Sequence, residues 1–194
     1  MTFSSLQSCS TSNHQVVNIN KNSEESKSRR ANQSGQIQIY QSSYRGSYSS
    51  IIRDSLRNAA LGRKVLLVQL MKGGVKQGIA NSQNLCGNLT WIRSSNSYDQ
   101  HEPEDIAHNK NLEKSIHHSV NELWDFCKKE LLSGEYDQII LDEVFLAVEL
   151  NIISKDDLIS TLENRFITGD VILTGTSIPK NFLLIADQIT ELRS

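Results

Sequence analysis

The chain has 194 residues, 38% of them hydrophobic, and its Lys+Arg 20 against Asp+Glu 22 leave a formal net charge of −2, which suits one domain with a real core. No run approaches the roughly 18 consecutive apolar residues of a membrane span, and the near-neutral balance offers no broad basic field for nucleic acid. Cys9, Cys86 and Cys127 lie far apart, so neither a disulfide framework nor a zinc site is expected, and with no basic stretch leading into an apolar block at the start, a soluble cytoplasmic protein is.

Residues 1 to 36 form a separate segment. Ser, Asn and Gln make up half of it, and its apolar residues recur at neither helical nor strand spacing, which predicts a disordered polar tail. The domain is expected over 37 to 194. Gln36–Tyr40 alternates polar and apolar side chains, and Lys64–Leu70 is nearly continuous apolar sequence suited to a strand buried on both faces. Gln138–Leu141 and Val171–Leu173 are shorter buried-strand candidates, and Gln188–Leu192 is a weaker fifth. Between them, Ser49–Leu61 carries Ile52 and Leu56 on one stripe with Gly62 as its stop, and Asp105–Ser133 carries apolar residues at steps of three and four before Gly134. Ser154 and Asp157 read as a capping-box variant opening a helix to about Arg165, and Pro179 marks the first turn of a last helix. Strands alternating with helices, without hairpin turn signals, predict an α/β fold with a mainly parallel sheet covered on both faces. Ligands of such folds bind beyond the carboxyl ends of the strands.

Four strand ends carry candidate chemistry. Ile140-Leu141-Asp142-Glu143 delivers two carboxylates at a strand tip, a pattern that holds Mg²⁺ and orients a phosphoryl group but that also serves as a plain helix cap. Tyr40 to Ser50 is strand, small-residue loop, helix, the architecture of an anion-cradling loop. It lacks the Lys and Ser/Thr that complete a phosphate loop, because Ser47 and Tyr48 follow Gly46. The segment after Leu70 holds Lys72, Gly73, Gly74 and Lys76, and the segment after Leu173 reads Thr174-Gly175-Thr176. His117 and His118 are adjacent, so a helix points them about 100° apart and they do not share a metal.

Taken together, these ends resemble the P-loop-type corrinoid adenosyltransferases, over nearly all of residues 36 to 194. The family's "Val-Gln-Phe-x-Lys-Gly" is matched by Val68-Gln69-Leu70-Met71-Lys72-Gly73, and "Gly-Phe-Thr-Trp" is echoed by Asn88-Leu89-Thr90-Trp91. "Gly-x-Tyr-Asp…Leu-Asp-Glu" is present as Gly134 to Asp137 followed by Leu141 to Glu143. "Leu-Thr-Gly-Arg" appears as Leu173-Thr174-Gly175-Thr176, and "Ala-Asp-x-x-Thr-Glu" as Ala186 to Glu191. The resemblance implies a P-loop NTPase-like fold, ATP and Mg²⁺, a corrinoid as substrate or ligand, transfer of the 5′-deoxyadenosyl group of ATP to cobalt with triphosphate leaving, and a homodimer. It implies Asp142 and Glu143 as catalytic and metal residues. By the same resemblance Arg45, Gly46, Ser47, Ser49, Arg57 and Lys72 are expected around the nucleotide, and Thr90 and Trp91 against the corrinoid.

The departures from the family fall at the chemistry. Ser47 and Tyr48 replace a phosphate-binding Lys and a Mg²⁺-binding hydroxyl, and the lost Lys alone forfeits a charge-assisted bond of about 1.5–3 kcal/mol. Since the leaving triphosphate must be stabilised electrostatically, these changes predict impaired catalysis on a family scaffold. The alternative of a different class is a non-catalytic relative that binds a corrinoid, a nucleotide or a protein partner.

Overall fold

The computed structural model describes residues 14–17, 34–45, 48–73, 75–96 and 110–192, the first four as backbone only. Its elements in chain order are β1 (His14–Val17), β2 (Ile37–Ser42), α1 (Ser49–Ala60), β3 (Val65–Gln69), β4 (Gln83–Leu85), β5 (Leu89–Arg93), α2 (Lys110–Ser133), β6 (Gln138–Asp142), α3 (Val144–Glu149), α4 (Lys155–Glu163), β7 (Asp170–Gly175), α5 (Phe182–Ile185) and β8 (Gln188–Leu192), with a short 3-10 turn at Ile79–Asn81. One sheet runs in the order β1-β8-β2-β7-β6-β3-β5-β4. The six strands from β8 to β5 pair in parallel, and β1 and β4 pair antiparallel at the edges. This is the α/β, P-loop NTPase-like architecture expected from the sequence.

The continuous apolar runs form the centre of the sheet. All five residues of β3 and all five of β6 are buried. Because strand side chains alternate between faces, each run serves two cores. Val65 and Leu67 join Ile140, Ile172 and Ile51 beneath α1, whereas Leu66 and Val68 join Ile139, Leu141 and Leu173 beneath α2, α3 and α4. On the helix side, Ile116, Val120, Leu123, Cys127 and Leu131 lie along one stripe of α2, all buried. α1 stops at Gly62 and α2 at Gly134, both at positive φ (95° and 74°), where a residue without a Cβ carries the turn out of a helix. The Ser154 side chain caps α4 by accepting from the Asp157 backbone N–H, as the sequence implied.

The structure differs from expectation in four places. Within the tail expected to be disordered, His14–Val17 forms a strand against β8; residues 1–13 and 18–33 lie outside the described residues. A hairpin, β4–β5, exists without a usual turn dipeptide, because Cys86 (φ 53°) and Gly87 (φ 75°) both adopt left-handed backbone. α2 is described from Lys110, and its expected first turn at 105–109 lies outside the described residues. α3, only six residues long, was not expected. Pro179 precedes the last helix instead of opening it, with its carbonyl accepting from the Phe182 N–H at 3.0 Å.

Strand order decides where a site forms. From β2 the chain crosses to β3, three places along the sheet, whereas the last strand, β8, returns to the other flank of β2. A crevice opens where connections diverge in this way, above the carboxyl ends of β2, β7 and β6. Register then aligns the tips: Gln69 sits opposite both Asp142 and Arg93, and Gln41 opposite Gly175.

Candidate functional site

The two carboxylates at the tip of β6 are the buried centre of the crevice, each 2% exposed. Asp142 accepts from Thr174 Oγ1 at 2.9 Å on Oδ1, and from Gln69 Nε2 at 2.8 Å and Lys72 Nζ at 3.2 Å on Oδ2. Glu143 is gripped by Arg45 through both oxygens, Nε to Oε1 at 3.1 Å and Nη2 to Oε2 at 2.7 Å. Such a fork-to-fork pair is the strongest geometry an arginine offers a carboxylate. Lys72 Nζ also lies 4.0 Å from Glu143 Oε1. Glu143 itself holds a left-handed backbone (φ 60°, ψ 28°), a conformation that costs a non-glycine residue roughly 1–2 kcal/mol. Its N–H donates to Thr174 Oγ1 at 2.7 Å and its carbonyl accepts from Leu146 N–H at 3.1 Å. Backbone strain held in place this way turns the chain from β6 into α3 and aims Glu143 at Arg45.

Tyr48 lies at the start of α1, 1% exposed, within the core cluster that includes Ile51, Ile140 and Ile172. Its hydroxyl makes no hydrogen bond among the described residues. Burial first, then the negative charges of Asp142 and Glu143, push its pKa well above the ordinary phenol value, against a smaller downward pull from the backbone at Ser42 and Gly175. The phenol therefore stays neutral beside two carboxylates.

This donor set does not fit Mg²⁺. The ion demands near-ideal octahedral oxygen coordination, yet the oxygens of Asp142 already face Thr174, Gln69 and Lys72, and both oxygens of Glu143 hold Arg45. The position at which the resemblance implies a Mg²⁺-binding hydroxyl carries the buried phenol of Tyr48. No group of three His, Cys, Asp or Glu side chains suited to a metal occurs among the described residues.

Of the residues expected around a nucleotide, Arg45 and Lys72 converge on the carboxylates. Gly46 and Ser47 lie outside the described residues. Ser49 and Arg57 are exposed on α1, and neither is bonded to Asp142 or Glu143. On β5 the expected pair separates, because adjacent strand residues point to opposite faces. Trp91 donates its indole N–H to Gln69 Oε1 at 3.1 Å, on the α1 side, and Arg93 stacks its guanidinium 4.8 Å from the Trp91 ring centroid. Thr90 instead bonds Asn84 across the hairpin at 3.2 Å. Three further residues belong to the site. Gln69 and Thr174 stand in the sequence only as members of motifs and Arg93 in none, and a polar residue ending a buried strand is the available signal.

Comparison with known proteins gives the family. A family model described as ATP:corrinoid adenosyltransferase BtuR/CobO/CobP matches residues 33–194. An uncharacterized protein of Nostoc sp. (strain PCC 7120) is 26% identical over 171 residues, covering 82% of this chain and 44% of its own length. A corrinoid adenosyltransferase of Escherichia coli K12 is 24% identical over 167 residues, covering 82% of this chain and 76% of its own. The chain thus spans less than half of the Nostoc relative and about three quarters of the E. coli enzyme.

Proposed function

This chain belongs to the ATP:corrinoid adenosyltransferase family, and from that premise we propose that it binds a corrinoid against Trp91 and Arg93 while its nucleotide end is closed by its own side chains, so that adenosyl transfer from ATP is impaired. The observation that carries this reading is the two-point grip of Arg45 on the buried carboxylate of Glu143. In the transfer, negative charge accumulates on the departing triphosphate, and the site must meet it with cations already free to act. Here the two nearest cations, Arg45 and Lys72, are spent on Glu143 and Asp142. The buried, neutral Tyr48 adds no charge and no metal-binding oxygen.

Trp91 supports the corrinoid part of the proposal. Its indole is fixed by Gln69 and backed by the Arg93 guanidinium, which gives a rigid apolar face bordered by a cation. The partners under this reading are small molecules, and the homodimer is carried over from the family as part of the proposal. No helix among the described residues is long and apolar enough to cross a membrane.

One observation favours a second reading, a working transferase. Arg45 and Lys72 side chains remain 31% and 22% exposed, so a triphosphate entering from solvent has access to both and competes with the carboxylates for them. Binding measurements test the two parts. Hydroxocobalamin, followed by absorbance, is expected to bind and to lose at least tenfold in affinity on Trp91→Ala. ATP, followed by calorimetry, is expected to show no binding up to millimolar concentration and to gain it with Ser47→Lys plus Tyr48→Thr. Absence of hydroxocobalamin binding would remove the corrinoid part, and tight ATP binding by the unaltered chain would establish the second reading.

A further inference from the structure

Gln69 ends β3, is 2% exposed, and has a neighbour strand on each side. Toward β5, its Oε1 accepts two hydrogen bonds, from Trp91 Nε1 at 3.1 Å and Arg93 Nε at 2.7 Å. Toward β6, its Nε2 donates to Asp142 Oδ2 at 2.8 Å. The amide has one permitted orientation, because a flip would set its NH₂ against two N–H donors and its oxygen against a carboxylate. The tryptophan and the acidic tip, on strands that do not touch, are therefore joined through a single side chain. Burial excludes water as a substitute partner, and in such surroundings successive hydrogen bonds polarise one another.

We propose that Gln69 is a positioning residue that couples the Trp91–Arg93 face to the Asp142 carboxylate, so that a change at either end alters the other. Lys72 and Gln69 share Asp142 Oδ2. Without Lys72 on that oxygen, Asp142 pulls harder on the Gln69 N–H, and the polarised Oε1 holds Trp91 and Arg93 more tightly. Release of Asp142 from Lys72 thus favours the ordered tryptophan face. Only the name of the ligand on that face rests on the function proposed above; the hydrogen-bonded chain does not.

The indole N–H resonances test this directly. The chain has two tryptophans, so two signals are expected, assigned with Trp91→Phe and Trp124→Phe. Trp124 donates to Asp157 at 2.7 Å on the other side of the sheet and serves as the internal control of folding. Asp142→Asn is expected to shift the Trp91 signal and leave that of Trp124 in place. In a Gln69→Leu background the same substitution should move the Trp91 signal no further, the signature of a coupled pair. Should Gln69→Leu lose the Trp124 signal through unfolding, Gln69→Met keeps the length of the side chain and removes the same bonds. A Trp91 signal indifferent to Asp142→Asn, or one that shifts equally without Gln69, overturns the proposal. In a second arm, Lys72→Met, which frees Asp142 Oδ2 for Gln69 alone, is expected to raise hydroxocobalamin affinity several-fold in the parent and to leave it unchanged in Gln69→Met; an equal rise in both overturns the coupling. Failure of hydroxocobalamin to bind at all would count against the proposed function and leave the indole test of Gln69 intact, so the two claims fail separately.

Discussion

Tyr48 shows how one residue changes what a strand end does. The phenol extends into the core and buries an oxygen that has no hydrogen-bond partner among the described residues. An unsatisfied buried hydroxyl costs about 1–3 kcal/mol, so Tyr48→Phe is expected to stabilise the fold by roughly 1 kcal/mol. The pH dependence has a definite sign. Below the ordinary phenol pKa of about 10, folded and unfolded chains both hold the proton and stability does not depend on this group. Above it, the unfolded chain ionises first because burial and the two carboxylates raise the folded value, and stability falls as pH rises toward that raised value. Tyr40, also raised by burial and by Asp54, adds to the same loss, so Tyr48→Phe should reduce the alkaline slope without abolishing it. Denaturant unfolding of both proteins between pH 8 and 11 measures this. A phenylalanine variant less stable than the parent would mean that the hydroxyl has a partner.

At the scale of elements, the stop of α2 gathers several constraints at one position. Gly134 has φ +74°, and a Cβ there would come within 2.5 to 2.8 Å of the Phe166 ring. Gly134→Ala is therefore expected to cost about 1–2 kcal/mol from the left-handed backbone alone, lowering the melting temperature by roughly 2–8 °C. Because Phe166 is 49% exposed, its ring has room to yield, and a loss far above that range would show that it is held. The elements legible in sequence were those with one strong signal. β3 and β6 are apolar runs buried on both faces, and α2 repeats its apolar stripe over about four turns, from Ile116 to Leu131. The illegible ones lacked such a signal. β4 reads Gln83-Asn84-Leu85 with both polar residues exposed, so neither alternation nor burial marks it, and α3 is too short to show a period. The site was half legible for the same kind of reason. Asp142 and Glu143 stand out as charges after an apolar run, but Gln69 enters only through parallel register that pairs it with a residue 73 positions away, which no local pattern reveals.

Over the whole molecule, charge and binding site point in opposite directions. Four basic and two acidic residues in positions 1 to 36 give that segment +2, which leaves 158 residues carrying −4. A polyanionic ligand must therefore be drawn by local cations, and the site holds three of them, Arg45 and Lys72 on the two carboxylates and Arg93 on Gln69. Each of the three is already bonded within the protein. The sheet keeps an α/β, P-loop NTPase-like order, while under the proposed function the cations that would meet a leaving triphosphate, Arg45 and Lys72, are held by Glu143 and Asp142. Adenosyl transfer itself tests that contrast most directly. With ATP, Mg²⁺ and cobalamin reduced to the cob(I) state, formation of the cobalt–carbon bond followed by absorbance is expected to stay at the rate without protein. Adenosylcobalamin formed well above that rate, and lost on Glu143→Ala, would contradict the account.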